Sequence, residues 1–424
     1  MLDIKYIREN SDKVKKAAQD KFVKVDIDRI LSIDENIISI NKELDSMKEE
    51  RNTLSSTITK LSDDEKQKTV EYVRSLKEKI TKLEDELSPL KNEYTELMYL
   101  VPSVPFDEVP YGKTDEDNVE IKRVGEIPTF NFEIKDHVTL SEELDLVDIP
   151  RGVKIAGSRS YFLKNDALLL EMSLCRYVID KLIKKGFNPM SVPLMVKEEA
   201  MYGTSYFPGG RDQTYTITED ELYLVGTSEV SLVSYHSSET FESPDALPKL
   251  YCGLSSCFRR EAGTYGKDTR GLYRVHQFTK IEQVIMCEAD YDKQYELHDF
   301  LLNNAEEILQ DLKIPYRVVK VCTGDMGNGQ VRKHDIEAWM PSRNKYSETH
   351  SCSSFNDFQA RRSNIKYKDK DGNLKYCYTL NNTAIASPRI LIPLLELYQN
   401  EDGSITVPEV LVPYMNKTKI ERKK

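Results

Sequence analysis

Residues 258–278 read FRREAGTYGKDTRGLYRVHQF. They include the end of one β-rich stretch, 249–261, and the start of the next, 272–287. Two such stretches joined by a Gly-containing loop predict neighbouring antiparallel strands. Side chains two positions apart lie on one face of a strand, so we expect Arg259 to share a face with Glu261, and Phe278 to share one with Glu282. A cation, a ring and two carboxylates would then converge beside a basic loop. Arg259 suits a phosphate and Phe278 a nucleotide base, whereas cross-strand ion pairs would explain the same charges without a ligand.

The rest of the chain beyond residue 165 is also rich in β-type patterns, and this composition indicates an α+β fold on an antiparallel sheet. The further predicted strands are 222–236, 333–340, 346–353 and 374–383, and the predicted helices are 166–185, 291–312 and 388–399.

A second candidate site lies where a predicted strand ends and a helix starts, in residues 381–389 (NNTAIASPR). Ser387 is a favourable N-cap and Pro388 suits the first helical position. Arg389 would then occupy the first turn, where the helix dipole disfavours a cation. A bound anion would explain this placement, and a purely structural arginine is the alternative.

The N-terminal quarter carries two heptad seams, 30–61 and 73–101, in which apolar residues recur at steps of three and four. This period predicts a long antiparallel helical hairpin. The seams match layer by layer if the chain folds back near residue 67, in the polar stretch 62–69. A Pro-rich connector, residues 101–110, ends the hairpin because helices do not cross such prolines.

Charge is unevenly distributed along this hairpin. The net charge of −11 argues by itself against a nucleic-acid partner. Residues 51–82, however, include eight basic and five acidic residues. Residues 26–50 and 83–100 together include four basic and thirteen acidic ones. A basic tip that contacts a polyanion is one interpretation, and a solvated helix face is the other.

Several common classes find no support in the sequence. No apolar run is long enough for a secretion signal or a membrane span, and the seven cysteines lack C-x-x-C pairs, which favours reduced thiols. Residues 263–269 resemble part of a P-loop, but Glu261 stands where its first glycine would be needed.

Together these stretches resemble the class II aminoacyl-tRNA synthetases, and specifically the seryl-tRNA synthetase family. Residues 258–278 resemble motif 2, and the strand and helix around Arg389 resemble motif 3. The helix and strand that end at residues 192–193 resemble motif 1, which builds the dimer interface in the family. Residues 224–229 (LVGTSE) resemble its serine-binding segment.

The resemblance implies an α+β protein in which an N-terminal antiparallel coiled-coil hairpin precedes a class II catalytic domain with helices flanking its antiparallel sheet. It implies a serine–tRNA ligase activity, in which L-serine and ATP give seryl-adenylate and serine passes to the 3′ end of tRNA(Ser). Whether tRNA(Sec) is charged as well stays open. The resemblance also implies Mg²⁺, no zinc, and a cytoplasmic homodimer without a membrane segment.

The resemblance further implies roles for individual residues. The ATP-binding set is Arg259, Arg260, Glu261, Val275, Phe278, Glu348, Thr349, His350, Ser351 and Arg389, of which Arg259, Glu348 and Arg389 are catalytic. The serine-binding set is Thr227, Ser228, Glu229, Arg259, Glu282 and Thr383, and the Mg²⁺ ligands are Glu348 and Ser351. The tRNA-binding set is Arg51, Lys60, Lys66, Lys68, Arg74, Lys77 and Lys79.

We therefore expect a tRNA-binding domain at 1–101 with its arm at about 28–101, a linker at 102–135, a catalytic domain at 136–415 and a basic tail at 416–424. Motif 3 departs from the common bacterial pattern at Asn382, Ala384 and Pro388, and we expect the methyl group of Ala384 to crowd the site. The alternative to an active ligase is a non-catalytic relative that serves as an RNA-binding scaffold. The retained charged residues of motifs 2 and 3 favour the enzyme.

Overall fold

The computed structural model describes residues 1–60, 62–263 and 270–422, without the side chain of Lys60. The chain divides into two compact units. The arm unit comprises Leu2–Gln19 and Val23–Pro102, and the body unit comprises Met1, Asp20–Phe22 and Ser103–Lys424.

The α-helices are α1 (Ile4–Glu9), α2 (Ser11–Asp20), α3 (Ile27–Thr57), α4 (Asp63–Leu100), α5 (His137–Glu143), α6 (Ile149–Ala156), α7 (Asn165–Lys184), α8 (Glu198–Gly203), α9 (Glu229–Ser234), α10 (Tyr291–Asp311), α11 (Phe358–Ser363), α12 (Leu391–Leu397) and α13 (Val412–Met415). The strands are β1 (Val119–Val124), β2 (Val147–Asp148), β3 (Phe162–Leu163), β4 (Asn188–Ser191), β5 (Met195–Val196), β6 (Thr216–Ile217), β7 (Leu222–Leu224), β8 (Thr240–Phe241), β9 (Lys249–Phe258), β10 (Gln277–Cys287), β11 (Tyr316–Lys320), β12 (Arg332–Met340), β13 (Lys345–Ser354), β14 (Lys366–Lys368), β15 (Leu374–Tyr376), β16 (Tyr378–Ser387), β17 (Ile405–Thr406) and β18 (Lys419–Ile420).

The arm unit is the predicted antiparallel hairpin of two long helices, α3 and α4. The predicted fold-back near residue 67 is wrong, because α4 already begins at Asp63. Ser62 and Glu65 form a capping box there, in which the Ser62 hydroxyl donates to Glu65 Oε2 at 2.6 Å. The polar stretch 62–69 therefore opens a helix rather than a turn.

The seams consequently pair one heptad away from the expected register. A fold-back near residue 67 would set Leu44 opposite residue 90, but Leu44 clusters with Ile80, Leu83 and Leu87. A shift of seven residues still matches apolar layers with apolar layers, because the seam repeats every seven residues. Met47 belongs to the same cluster, on the level of Ile80.

The basic residues of the predicted tRNA-binding set lie in the half of this hairpin that contains the fold-back. The side chains of Lys66, Lys68, Arg74, Lys77 and Lys79 are exposed, and Arg51 is half-buried. The Lys60 side chain lies outside the described residues.

The body unit is built on an eight-stranded sheet of order β1-β11-β12-β13-β16-β10-β9-β4. Among the described residues of this sheet, β4 and β9 pair in parallel and the other neighbouring strands pair antiparallel. Helices α7, α10 and α12 supply apolar side chains to its largest core, for example Leu174, Leu301 and Leu394. Ile281 and Ile285 of β10 belong to the same core. The side chains that alternate with them along β10, such as those of Lys280 and Glu282, therefore lie on the opposite face of the sheet.

Three segments differ from their expected structure. The expected linker contributes β1, which pairs with β11 at one edge of the sheet, and the expected tail contributes β18, which pairs with β17. Of the predicted strand 222–236, β7 is a strand and α9 is a helix. Ser228 occupies the N-cap position without a capping hydrogen bond from its side chain, and Glu229 in the first turn is a favourable residue for a helix start. None of the helices in the described part of the chain is long and apolar enough to cross a membrane.

Candidate active site

A cleft opens over the sheet where β10, β13 and β16 lie side by side. Its lining residues are Arg259, Glu261, Leu272, Tyr273, Arg274, Val275, Phe278, Lys280, Glu348, Thr349, Ser351, Thr383, Ala386, Ser387, Pro388 and Arg389. The two stretches singled out in the sequence, 258–278 and 381–389, therefore meet in one site.

Arg259 and Glu261 reach the cleft by a route that differs from the expected one. Strand β9 ends at Phe258, so a shared strand face does not bring them together, and that prediction is wrong. The chain leaves the strand in a turn in which Glu261 has a positive φ of 51°. The backbone of Arg259 is held by His276, whose carbonyl oxygen accepts from Arg259 N at 3.0 Å. The Arg259 guanidinium lies 5.1 Å from the centroid of the Phe278 ring.

Arg260, which lies between Arg259 and Glu261 in the sequence, falls outside the cleft. The Arg260 guanidinium donates to the Asp212 carbonyl oxygen at 3.1 Å, and Arg260 is not among the lining residues. The central part of the predicted basic loop, 264–269, lies outside the described residues.

Strand β10 presents Phe278, Lys280 and Glu282 on the face toward the cleft, as period two predicts. Lys280 was missed by the sequence analysis. Its buried ammonium group pairs with the Glu282 carboxylate and donates to Thr227 Oγ1 at 3.3 Å. Its position between Phe278 and Glu282 was the signal that could have identified it.

Glu229 and Glu282 form a buried pair of carboxylates beside this lysine. Burial, together with the charge of Glu282, raises the pKa of Glu229 to about 7. Burial also raises the pKa of Glu282, and Lys280 and Arg259 oppose that rise. Gln359 donates to Glu229 Oε1 at 2.7 Å, and Thr379 donates to Gln359 Oε1 at 2.6 Å. Such a desolvated anionic pocket can receive a cationic group.

Ser228 does not belong to this pocket in the same way. Its hydroxyl donates to the Gly253 carbonyl oxygen at 3.2 Å and not to a residue of the pocket. A side chain at Gly253 would meet this hydroxyl, since a Cβ there would lie 2.6 Å from Ser228 Oγ. The contact joins the start of α9 to β9.

A β-bulge in β13 brings Glu348 and Ser351 to the same side of the strand. His350 pairs with Ile336, whereas Glu348 pairs with the next residue, Glu337, so Thr349 is the extra residue. Residues three apart would lie on opposite faces of a regular strand. The extra residue restores Glu348 and Ser351 to one face, which is the face that lines the cleft.

Opposing effects act on the pKa of Glu348. Burial tends to raise the pKa of Glu348, but the cations Arg389 and Lys333 lower it below its ordinary range. Asp335, 3.1 Å from the Lys333 ammonium, has its pKa raised to about 7 by burial. His350 points away from this group. It is buried, its Nδ1 lies 2.8 Å from Thr349 Oγ1, and burial lowers its pKa to about 4.

A second bulge, in β16, corrects the expectation about Ala384. Thr383 pairs with Glu282 and Ile385 pairs with Ile281, so Ala384 is the extra residue. Ala384 and Ile385 pack in the large core, while Thr383 and Ala386 line the cleft. The methyl group of Ala384 therefore does not crowd the site. Asn382 is also buried, and its Oδ1 accepts from Gln283 at 2.7 Å.

The helix start near Arg389 also differs from the prediction. Helix α12 begins at Leu391 with Ile390 as its N-cap, so Ser387 is not the cap and Pro388 is not the first helical residue. The reason is that β16 continues through Ser387. Arg389 thus precedes the helix and the dipole argument does not apply to it. Its Nε donates to the Tyr273 carbonyl oxygen at 3.2 Å and its Nη1 to that of Glu348 at 3.1 Å.

The site is accordingly a cleft with two ends. One end combines two arginines with an aromatic ring and the half-exposed Glu348, which suits an anionic, aromatic ligand such as a nucleotide. The other end is the buried carboxylate pocket, which is joined to the cleft by the lining residue Lys280 through its pair with Glu282. Within the described residues, no group of three or more His, Cys, Asp and Glu side chains is arranged to hold a metal ion by itself.

Comparison with known proteins gives the same two parts. Residues 1–105 match the family model of the seryl-tRNA synthetase N-terminal domain, and residues 214–398 match that of the tRNA synthetase class II core domain (G, H, P, S and T). The chain is 44% identical to the serine–tRNA ligase of Dictyoglomus thermophilum over 100% of both chains, and 43% identical to that of Deinococcus radiodurans over 98% of this chain and 97% of the other.

Solved structures agree with these relatives. Seryl-tRNA synthetase from Pyrococcus horikoshii, complexed with ATP, matches with a TM-score of 0.91 and 36% identity over 100% of both chains. The cytoplasmic serine–tRNA ligase of Naegleria fowleri, in complex with AMP, matches with a TM-score of 0.87 and 31% identity over 100% of this chain and 99% of the other.

Proposed function

Since this chain belongs to the seryl-tRNA synthetase family, we propose that it activates L-serine with ATP and transfers the serine to tRNA(Ser). The observation that carries the proposal is the single cleft in which Arg259, Phe278, Glu348 and Arg389 adjoin the buried Glu229–Glu282 pocket. A scaffold without catalysis would not need this set. Aminoacylation of tRNA(Sec), measured beside that of tRNA(Ser), tests whether it is a second substrate.

The nucleotide would occupy the arginine-rich end of the cleft. The adenine base would stack on Phe278, and Arg259 and Arg389 would bind the α- and γ-phosphates. Glu261, Val275 and Thr349 also line this end. For Arg260 and His350 we propose indirect roles, because Arg260 bonds to the Asp212 backbone and His350 is buried under Thr349.

Serine would occupy the carboxylate pocket. Its ammonium group would pair with Glu229 and Glu282, and its carboxylate with Arg259. Thr227 and Thr383 offer hydroxyl groups to the substrate side chain, and the buried position of Thr227 supports this role. A pocket that hydrogen-bonds a substrate hydroxyl rejects the analogue without it by about 10⁴-fold, so alanine should be excluded strongly.

The first reaction needs positioning more than a protein nucleophile. A carboxylate oxygen of serine forms a bond to the α-phosphorus, and the bond from that phosphorus to pyrophosphate breaks. Arg259 would neutralise charge on the α-phosphate, and Arg389 would hold the leaving pyrophosphate. The 3′-terminal ribose hydroxyl of the tRNA then attacks the carbonyl carbon of the adenylate, and AMP leaves.

Glu348 and Ser351 would hold Mg²⁺ against the phosphates. They fit a hard cation because both supply oxygen atoms, lie on the same strand face, and the carboxyl group has a lowered pKa. When bound, the cation would supply further neutralisation of phosphate charge. The proposal includes no zinc, so activity removed by a chelator should return with Mg²⁺ alone.

The arm and one helix of the body suggest the partners. The exposed basic residues in the half of the arm that contains the fold-back, among them Lys66, Lys77 and Lys79, would contact the tRNA backbone. Met172 on α7 is 59% exposed, beside the exposed Leu168 and Leu169, and this apolar face supports a homodimer. We propose a cytoplasmic dimer, since its substrates are ATP and tRNA.

The decisive test is ATP–pyrophosphate exchange with serine, threonine, alanine and proline. Serine alone should support exchange, and Glu282→Ala should abolish it while the protein stays folded and dimeric. Glu296→Ala is the matched control, because that carboxylate is 69% exposed and is not among the residues that line the cleft. Near-normal exchange in Glu282→Ala would contradict the serine site, and no exchange with any amino acid would favour the scaffold.

A further inference from the structure

The wall of the cleft that follows the motif 2 loop is anchored by a buried histidine outside the cleft. Leu272 and Tyr273 are consecutive lining residues of the cleft. His137, the first residue of α5, lies behind them and is 8% exposed. The Leu272 backbone N–H donates to His137 Nε2 at 3.3 Å.

The contacts of this histidine determine its tautomer. Because Nε2 accepts from a backbone N–H, it carries no hydrogen in this arrangement. The hydrogen is therefore on Nδ1, which lies 2.8 Å from Glu396 Oε1 and donates to it. His137 thus connects a donor on the cleft wall to an acceptor on α12.

Glu396 is a fixed point for this connection. Its carboxylate is fully buried and also accepts from His137 N at 3.0 Å, from Ser342 N at 2.9 Å and from Ser342 Oγ at 2.7 Å. Four donors on two further segments of chain leave the carboxylate little freedom to move. The helix that carries it begins just after Arg389.

Tyr273, the second residue of the wall, is held by Arg389. The Tyr273 carbonyl oxygen accepts from Arg389 Nε at 3.2 Å. The centroid of the Tyr273 ring lies 4.4 Å from the guanidinium group of Arg389 and 4.1 Å from that of Arg343. Two consecutive residues are therefore bound at opposite ends, one through its N–H and the other through its C=O.

The glycine before them is required by the same contact. Gly271 has a φ of +84°, and a Cβ at this position would lie 2.2 Å from His137 Nε2. A side chain here would push the ring away from Leu272. The glycine at position 271 thus allows the backbone to pack closely against the imidazole of His137.

We propose that His137 is a positioning residue for ATP, which sets the wall formed by Leu272 and Tyr273 through its bond to Leu272 N–H. It acts through these residues and does not contact the substrate. The inference rests on the proposed function, since it assigns that wall to the nucleotide end of the cleft. The carboxylate pocket around Glu282 is formed by other residues, so serine binding should not depend on His137.

The test compares two amide variants. His137→Asn keeps a donor near the Nδ1 position but has no acceptor that reaches Leu272, whereas His137→Gln places an amide oxygen near the Nε2 position. In serine-dependent exchange, we expect His137→Asn to raise the KM for ATP by about five- to tenfold, as for one lost hydrogen bond with some added disorder, and to leave the KM for serine unchanged. His137→Gln should recover most of the loss. A structural defect alone would lower the concentration of active sites without raising the KM for ATP relative to the KM for serine.

Further measurements keep the failure of this inference separate from that of the proposed function. ATP affinity, measured by calorimetry without serine, should fall in His137→Asn by the same factor, even if serine-dependent exchange proves absent in the wild type. Gly271→Ala keeps His137 in the sequence but displaces its ring from Leu272. It should therefore also raise the KM for ATP, and it provides a second variant if His137→Asn does not fold. An unchanged ATP affinity, an equal rise in both KM values, or a Gln variant no better than Asn would overturn the proposal.

Discussion

Glu229→Gln should stabilise the free protein above neutral pH while it removes the function of the serine pocket. Glu229 is 7% exposed, and its pKa is about 7 in place of an ordinary 4.5. Between these two values the folded chain holds a proton that the unfolded chain has released, so the wild-type stability falls as the pH rises through this window. At 1.36 kcal/mol per pH unit the loss amounts to about 3 kcal/mol by pH 8.

Glutamine at this position has no proton to lose and keeps an amide oxygen for the 2.7 Å bond from Gln359. The unfolding free energy of Glu229→Gln minus that of the wild type should therefore grow by about 3 kcal/mol between pH 4.5 and pH 8. Urea denaturation can follow this difference, because the single tryptophan, Trp339, lies in β12 of the body unit.

The matched control is Glu409→Gln, whose side chain is 86% exposed, and its denaturation curves should follow those of the wild type. A difference between Glu229→Gln and the wild type that stays constant from pH 4.5 to pH 8 would refute the reasoning. The same variant should show no serine-dependent exchange.

The remaining predictions concern the same pocket and the arm. The KM for serine should rise by about tenfold as the pH falls from 8 to 6, because the ammonium group needs an ionised Glu229, while the KM for ATP should change little; a flat serine profile would contradict the raised pKa. Lys280→Met leaves Glu282 buried without its partner and should destabilise the protein by about 3–5 kcal/mol in urea denaturation. Lys293→Met removes only an exposed ion pair and should change stability little, so equal effects would be evidence against the buried pair. Replacing residues 48–79 by a short glycine-rich turn preserves the observed pairing of the arm and should leave exchange normal while it lowers tRNA aminoacylation by roughly 10²-fold or more; normal charging would make the arm purely structural.

The arm shows how far a periodic sequence determines structure. Its two helices and their antiparallel pairing followed from the heptads, but their register did not, because a shift of seven residues matches every apolar layer equally well. The position of the turn is what separates the two registers. The capping box of Ser62 and Glu65 was the local signal for that turn, and the sequence analysis did not use it.

The ends of elements near the site were the least predictable part. The strands that flank residues 258–278 and their antiparallel pairing were predicted correctly. Arg259 was assigned to a strand that stops one residue earlier, and Arg389 to a helix that starts two residues later. Both arginines lie in the connecting segments, where the backbone no longer follows a period that a sequence pattern could reveal.

The two bulges explain why period two alone could not assemble the candidate site. Glu348 and Ser351 are three residues apart, as are Thr383 and Ala386, so alternation assigns each pair to opposite faces of its strand. Each strand contains one extra residue, Thr349 in β13 or Ala384 in β16, and the extra residue returns both members of the pair to the cleft. Because β13 and β16 are neighbours in the sheet, the two irregularities act on the same part of the cleft floor. Removing one residue from either bulge would restore a regular ladder, turn one member of the pair toward the core, and therefore dismantle the site while preserving the sheet.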